Sequence, residues 1–279
     1  MYDKNSQPKI SVEHLNMSYK MDAAKPINIL ADITFSVRQG SFVCILGPSG
    51  CGKSTLFNLI AGLIAPDSGS IFLDGQLINN RTGLVGYMFQ KDLLLPWRSV
   101  LENITLGTEI KGRDKAESKA RAMSYINKYG LAGFENYYPR FLSGGMRQRA
   151  AFLRTMMLDN EVMLLDEPFG ALDAQTRLAM QEWLHEVWRD SKKTIIFITH
   201  DVDESLFLAE DVLVLSHRPS HIIRTIPVPL PEKRTYEMMG QIDILKLRTE
   251  LFTLLHHESS MNSQNETPIA ASAATPVGD

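Results

Sequence analysis

Cysteine is scarce in this chain: 2 in 279 residues, Cys44 and Cys51. One falls in an apolar run and the other in a glycine-rich loop, so a disulfide framework is excluded and a reducing compartment suits the chain. No apolar run approaches the roughly eighteen residues that a membrane-spanning helix needs. The first eight residues are polar and lack the apolar centre of a signal peptide. No block of basic residues is present and the formal net charge is −3, which argues against a nucleic-acid surface as the main partner. No internal repeat appears. What remains is a globular composition, 44% hydrophobic and 22% charged, in a length that suits one large domain or two subdomains.

The informative part is a loop. Gly47-Pro48-Ser49-Gly50-Cys51-Gly52-Lys53-Ser54 meets the pattern G-x-x-x-x-G-K-[ST] without a gap. Before it, Ser41 to Leu46 is an apolar, β-rich run that reads as a buried strand. After it, Thr55 to Leu63 carries apolar residues at helical spacing. Strand, glycine-rich turn and helix are the setting the pattern requires. Glycines let the backbone turn tightly and aim N–H groups at phosphate oxygens, and the helix start adds partial positive charge. Gly47 to Thr55 are therefore candidate nucleotide-binding residues, with Lys53 directed to the β- and γ-phosphates and the Ser54 hydroxyl to Mg²⁺.

A second apolar run, Val162 to Leu165, ends in Asp166-Glu167-Pro168. An acid at the C-terminal end of a strand faces the crevice in which α/β sheets bind ligands. Asp166 is the candidate Mg²⁺ residue, and Glu167 the candidate general base for an attacking water. Between these two stretches lies Leu142-Ser143-Gly144-Gly145, opening a helix expected over Met146 to Leu158. Taken alone, it also fits an ordinary helix cap.

The three stretches in this order resemble the ATP-binding subunit of an ABC transporter, over about residues 9–257. The resemblance implies an α/β fold: a P-loop ATPase with a parallel nucleotide-binding core, an antiparallel β subdomain and an inserted helical subdomain at about 91–160. It implies ATP and Mg²⁺ as ligands and two subunits facing head to tail, so that Ser143, Gly144 and Gly145 of one cover the γ-phosphate held by the other. The family usually has Gln after this signature, where this chain has Met146. It implies further that Tyr19 stacks on adenine, that Gln90 touches Mg²⁺ and water, that Asp173 in Ala171-Leu172-Asp173 meets the partner subunit, and that His200 is the switch histidine near the γ-phosphate. By themselves, Tyr19 also fits strand packing and His200 a structural role.

The pattern along the chain agrees with such a layout. Ile10–Val12, Ile33–Val37, Phe42–Leu46 and Ile71–Leu73 read as early strands, with turn signals at Asp67-Ser68-Gly69 and Asp74-Gly75. Lys115 to Tyr129 reads as a helix stopped by Gly130. Strands near Val162, Thr194 and Val212 alternate with helices near Gln175–Arg189 and Asp203–Ala209, which means a parallel sheet. Pro227 to Pro231 breaks regular structure, and Ile244, Leu247, Leu251, Leu254 and Leu255 predict a last amphipathic helix. Glu258 to Asp279, rich in Ser, Asn, Thr, Ala and Pro, reads as a disordered tail.

The segment Lys91 to Ile104 contains Leu94-Leu95-Pro96-Trp97-Arg98. It fits either a leucine-rich core loop or a groove that grips a partner helix. With Pro227-Val228-Pro229-Leu230-Pro231, it resembles the branch that imports nitrate, sulfonates and taurine, some members of which take up thiamine-precursor pyrimidines or riboflavin. The resemblance therefore implies a homodimer, peripheral on the cytoplasmic face of the membrane, with a separate permease and an external solute-binding protein. The alternatives are a soluble ATPase of the same fold in repair, assembly or translation, and an exporter subunit. The transported solute is not written in this chain.

Overall fold

The computed structural model describes residues 7–19 and 26–265. In chain order the first elements are β1 (Ile10–Tyr19), β2 (Ile27–Val37), β3 (Phe42–Leu46), α1 (Lys53–Ile60), β4 (Ser68–Leu73), β5 (Gln76–Leu77) and β6 (Gly86–Met88). A helical stretch follows: α2 (Val100–Ile110), α3 (Lys115–Lys128) and α4 (Gly144–Met156). Then come β7 (Val162–Asp166), α5 (Ala174–Ser191), β8 (Thr194–Thr199), α6 (Val202–Leu208), β9 (Asp211–Leu215), β10 (Ile222–Pro227) and α7 (Ile242–Asn265).

Two sheets result. One is antiparallel, in the order β2-β1-β4-β5; the other runs β10-β9-β3-β8-β7-β6 and is parallel except for β10 on β9. Every residue of β3, β7 and β8 is buried, as expected for strands covered on both faces. The period of two divides their side chains between two cores. Phe42, Cys44, Leu46, Met163, Leu165, Ile195 and Phe197 pack toward the helices. Val43, Ile45, Val162, Leu164, Ile196 and Ile198 pack with α1 and the antiparallel sheet. Parallel register sets Leu46 opposite Thr199, and Asp166 opposite Ile198. The loops that leave β3, β7 and β8 thus emerge side by side.

The helical stretch connects β6 to its parallel neighbour β7. Its helices begin where capping chemistry begins. Ser99 and Glu102 form a reciprocal capping box on α2, and the Asp114 side chain accepts from the Glu117 N–H to start α3. The Tyr129 cap ends α3 and Gly130 follows at φ 81°. Asn103 is fully buried: its amide donates to the carbonyls of Leu95, Arg98 and Ser99, and its oxygen accepts from Leu95 N–H. This one side chain shapes the Leu94–Arg98 segment. Leu94 turns inward while Trp97 is 70% exposed, so the segment is not a buried core loop.

Several expectations need correction. Asp74 and Gly75 do form a tight hairpin turn, both at positive φ, but Gly69 lies inside β4. It is needed there because a Cβ would fall 2.4 Å from the His14 carbonyl, where β1 and β4 shift register. Helix α4 begins at Gly144, two residues before Met146. Strands β6 and β10 have no counterpart in the sequence reading: β6 is only three residues long and β10 is half exposed. Helix α7 buries Ile244 and Leu251 as expected, but it continues past Glu258 to Asn265, where a disordered tail was expected. The remainder of that expectation, 266–279, lies outside the described residues.

The segment before α7 is fastened by a buried cation. Arg234 donates through Nη1 to the carbonyls of Phe207 (2.9 Å) and Ala209 (2.8 Å), and through Nε to Pro231 (3.0 Å). It satisfies carbonyls that the end of α6 leaves open, at the favourable pole of the helix dipole. Arg234→Leu should therefore lower stability by about 2–3 kcal/mol, read as a shift of the urea midpoint without a change in slope.

Candidate nucleotide-binding site

The loop between β3 and α1 folds around its own backbone. Gly50 and Gly52 have φ of 77° and 118°, a region closed to side chains without strain. A Cβ on Gly52 would also fall 2.7 Å from Ile29 Cγ2, so strand β2 packs directly on this turn. Lys53 is buried, and its ammonium donates to the carbonyls of Gly47 (2.8 Å) and Pro48 (3.0 Å). It thus lies across the mouth of the loop. Cys51 is buried inside, and burial pushes its thiol pKa up. A thiol there is a small filler rather than a nucleophile. Ser54 is exposed at the start of α1 and Thr55 half-buried.

A cleft of about 340 Å³ joins this loop to the end of β7 and is lined by Ser49, Lys53, Ser54, Gln90, Asp166 and Glu167 among others. Asp166 is 7% exposed, and desolvation raises its pKa, opposed by a hydrogen bond from Ser54 and reinforced by the Glu167 charge. Tyr87 Oη sits 3.3 Å from both Asp166 Oδ2 and Asn58 Oδ1. Tyr87 and Asn58 were not recognised as site residues in the sequence, since nothing local marks a tyrosine on β6 as a neighbour of β7. Ser54 and Asp166 offer hard oxygen donors within reach of one another, and Gln90 lines the same cleft. That set fits Mg²⁺, which takes few protein ligands and fills its shell with phosphate and water. Among the described residues no group of three His, Cys, Asp or Glu forms a self-sufficient metal centre.

Glu167 stands at φ 41°, a strained position for a side-chain-bearing residue of the kind that clusters at functional sites. Its N–H donates to Ile198 O at 3.0 Å. Oε1 is 3.7 Å from Lys53 Nζ, and Oε2 is 3.1 Å from His200 Nδ1. One carboxylate therefore bridges the loop after β3 and the turn after β8. The expected residues Gly47–Thr55, Gln90, Asp166, Glu167 and His200 are brought together.

Others are not. Ser143 caps α4, accepting from Met146 N–H at 3.3 Å; it is exposed and does not line that cleft. Gly144 lines a separate cleft with Lys91, Arg147 and Leu172, although Gln90 borders both. Asp173 caps α5 by accepting from Thr176 N–H at 3.0 Å, and hydrogen bonds from Thr176 hold its pKa below the ordinary value. Tyr19 ends β1, 41% exposed and paired with Ile27. That is two residues before the Ile29 that abuts Gly52.

Behind His200 lies another residue that the sequence did not reveal. Glu204 is 5% exposed; it accepts from Thr199 Oγ and, at 3.2 Å, from Gln181 Nε2. Burial raises its pKa from 4.5 to about 7, against the pull of both hydrogen bonds. The folded chain therefore holds this proton more tightly than the unfolded one. The stability it contributes is complete below pH 4.5 and declines as pH rises from there to about 7. In Glu204→Gln that decline should vanish. The melting temperature of the variant relative to the parent should rise between about pH 5 and 8, by an equivalent of up to ~3 kcal/mol.

Comparison with known proteins agrees with this geometry. A family model described as ABC transporter matches residues 30–170. The formylaminopyrimidine import ATP-binding protein ThiZ of Halalkalibacterium halodurans is 40% identical over 245 residues, covering 87% of this chain and 95% of that protein. The taurine import ATP-binding protein TauB of Yersinia pestis is 45% identical over 197 residues, covering 71% of this chain and 77% of its own. Among solved structures, a dimeric ATP-binding cassette in a post-hydrolysis state with ADP and Pi superposes with TM-score 0.69 at 28% identity, over 80% of this chain and all of its own. The chain belongs to the ABC transporter family, as one of its ATP-hydrolysing subunits.

Proposed function

We propose that two copies of this chain hydrolyse ATP in a shared, head-to-tail arrangement to drive import of a small solute through a separate membrane permease. The observation that carries the reading is a separation. Ser143 and Gly144 sit at a helix start made for an anion, in the same chain as the phosphate loop but not in its cleft. A second copy supplies that missing wall.

In this reading the loop N–H groups and Lys53 hold the phosphates, and Tyr19 stacks on adenine. Mg²⁺ would be held by Ser54 and Asp166 beside Gln90, and it neutralises phosphate charge when bound. Glu167 accepts a proton from water as the water oxygen bonds to the γ-phosphorus. The bond to the ADP oxygen breaks, and ADP and phosphate leave. His200 orients Glu167 through Oε2, while Lys53 restrains Oε1. Closing and opening of the pair is a ligand-driven shift between two arrangements.

Exposed Trp97, with Pro96, Tyr138 and Arg140, lines a cleft beside the helical insertion. An aromatic anchor next to a cation is the surface on which a partner helix docks, and the permease is that partner. No helix among the described residues is long and apolar enough to cross a membrane. The likeness to import ATP-binding proteins favours a peripheral subunit on the cytoplasmic face. The relatives that import taurine and a pyrimidine favour a small polar solute of that kind, delivered by an external binding protein.

Glu167→Gln should leave ATP binding within about threefold of the parent and cut turnover by at least ~100-fold. With ATP it should elute as a dimer, and with ADP as a monomer. Turnover at the parental rate would remove Glu167 from the role of base. The same variant, tagged and extracted from its own membranes with mild detergent and ATP, should bring down a multi-span membrane protein. Recovery with ribosomes or DNA ends instead would overturn the transport reading.

A further inference from the structure

The loop joining β9 to β10, Ser216–His221, leaves the sheet beside β3 and is built onto the phosphate loop. Ser220 is fully buried; its hydroxyl is within hydrogen-bond reach of the carbonyls of Cys51 and Ser216. Its N–H donates to Ile29 O at 2.8 Å, and its carbonyl accepts from Ala31 N–H at 2.8 Å. At the loop's root, the Leu215 Cβ stands 3.1 Å from where a Cβ on Gly47 would be. Four contacts therefore tie this connection to the glycine-rich turn and to the strand that backs it.

What the connection presents is a cation. Arg218 is exposed, and its Nη2 lies 3.7 Å from the position of a Cβ on Gly50. It lines the same cleft as Ser49, Lys53, Ser54 and Asp166. Lys53 is engaged with backbone carbonyls and Glu167. The Arg218 guanidinium has no hydrogen bond or ion pair among the described residues, although its charge acts on the neighbouring Cys51. Asp166 and Glu167 line the same cleft, and their negative charge would be added to that of a bound polyphosphate. A planar fork of N–H donors at the lip of a phosphate cradle, left without a partner, matches phosphate oxygens in charge and in geometry.

We propose that Arg218 is a phosphate-binding residue of the ATP site, acting in cis as its second cation beside Lys53. The inference rests on the nucleotide reading above. It explains why an exposed arginine is carried on a connection whose serine is buried against the phosphate loop. The anchoring by Ser220 keeps the guanidinium where the polyphosphate arrives, so less freedom is lost on binding.

The test is nucleotide affinity in the full-length Glu167→Gln background, read with a fluorescent ATP analogue and by ATP competition. Arg218→Ala should raise the ATP Kd about tenfold and flatten its dependence on ionic strength. Affinity should rank with charge: Arg218→Lys above Arg218→Gln, and Arg218→Glu lowest. In the catalytically intact chain, Arg218→Ala should raise KM with kcat changed less than about threefold. Lys53→Ala is the control. If it abolishes binding while the Arg218 series stays within twofold of the parent, Arg218 is not a phosphate ligand and the site reading stands. If neither substitution affects binding, the nucleotide reading itself fails. Loss of ATP-dependent dimerisation at unchanged ATP affinity would place Arg218 across the dimer interface and overturn its assignment in cis.

Discussion

Glu167 is held from two sides, by Lys53 at 3.7 Å and His200 at 3.1 Å, and the site depends on that bridge. The three residues come from three connections, after β3, β7 and β8. They meet only because those strands run parallel, in register, as adjacent members of one sheet. A slip of one residue in any of them would turn its buried side chains to the other face. It would also withdraw one corner of the bridge. Complete burial of β3, β7 and β8 is thus a condition for the chemistry as well as for folding. The strained backbone at Glu167 is tolerated because the sheet around it leaves no alternative.

Charge placed in this interior is compensated group by group. Asp166 has Ser54 and Tyr87, Glu204 has Thr199 and Gln181, Arg234 has helix-end carbonyls, and Asn103 has four backbone partners. A buried polar group left unpaired would cost more than its hydrogen bonds contribute. These partnerships therefore specify one arrangement of the loops around the cleft. His185 is an exception: its Nε2 is buried without a hydrogen bond, it packs against Trp188 and Phe207, and burial lowers its pKa to about 4. It remains neutral and behaves as an aromatic core residue.

The lining of the phosphate cleft within one chain does not include Ser143 or Gly144. Glu167 is held by the ends of the parallel strands, whereas Ser143 and Gly144 are held by the helical insertion and lie outside that cleft. Gln90 borders both clefts. It follows β6 at the point where the insertion begins. Trp97 and the cleft beside it lie on the same insertion. In the proposed reading, a partner on Trp97 and a nucleotide at Lys53 would be joined through a short stretch of chain.

Much of this was legible in the sequence, and the reason is local. The phosphate loop, Asp166-Glu167 and the Ser143 cap are stretches whose backbone conformation and chemistry are encoded by consecutive residues. Strands buried on both faces announce themselves as unbroken apolar runs. Glycines were read less well: Gly130 and Gly75 follow local rules, but Gly69 answers to the carbonyl of His14, far away in the chain. The same holds for Tyr87, Asn58, Glu204 and Arg218, whose sequence neighbours give no sign of the strand ends they meet. Consecutive residues determined where the glycine-rich turn forms between strand and helix and that two acids end a buried strand. Only the tertiary structure decided which distant side chains surround that loop, because side chains far apart in sequence become neighbours through sheet order and register.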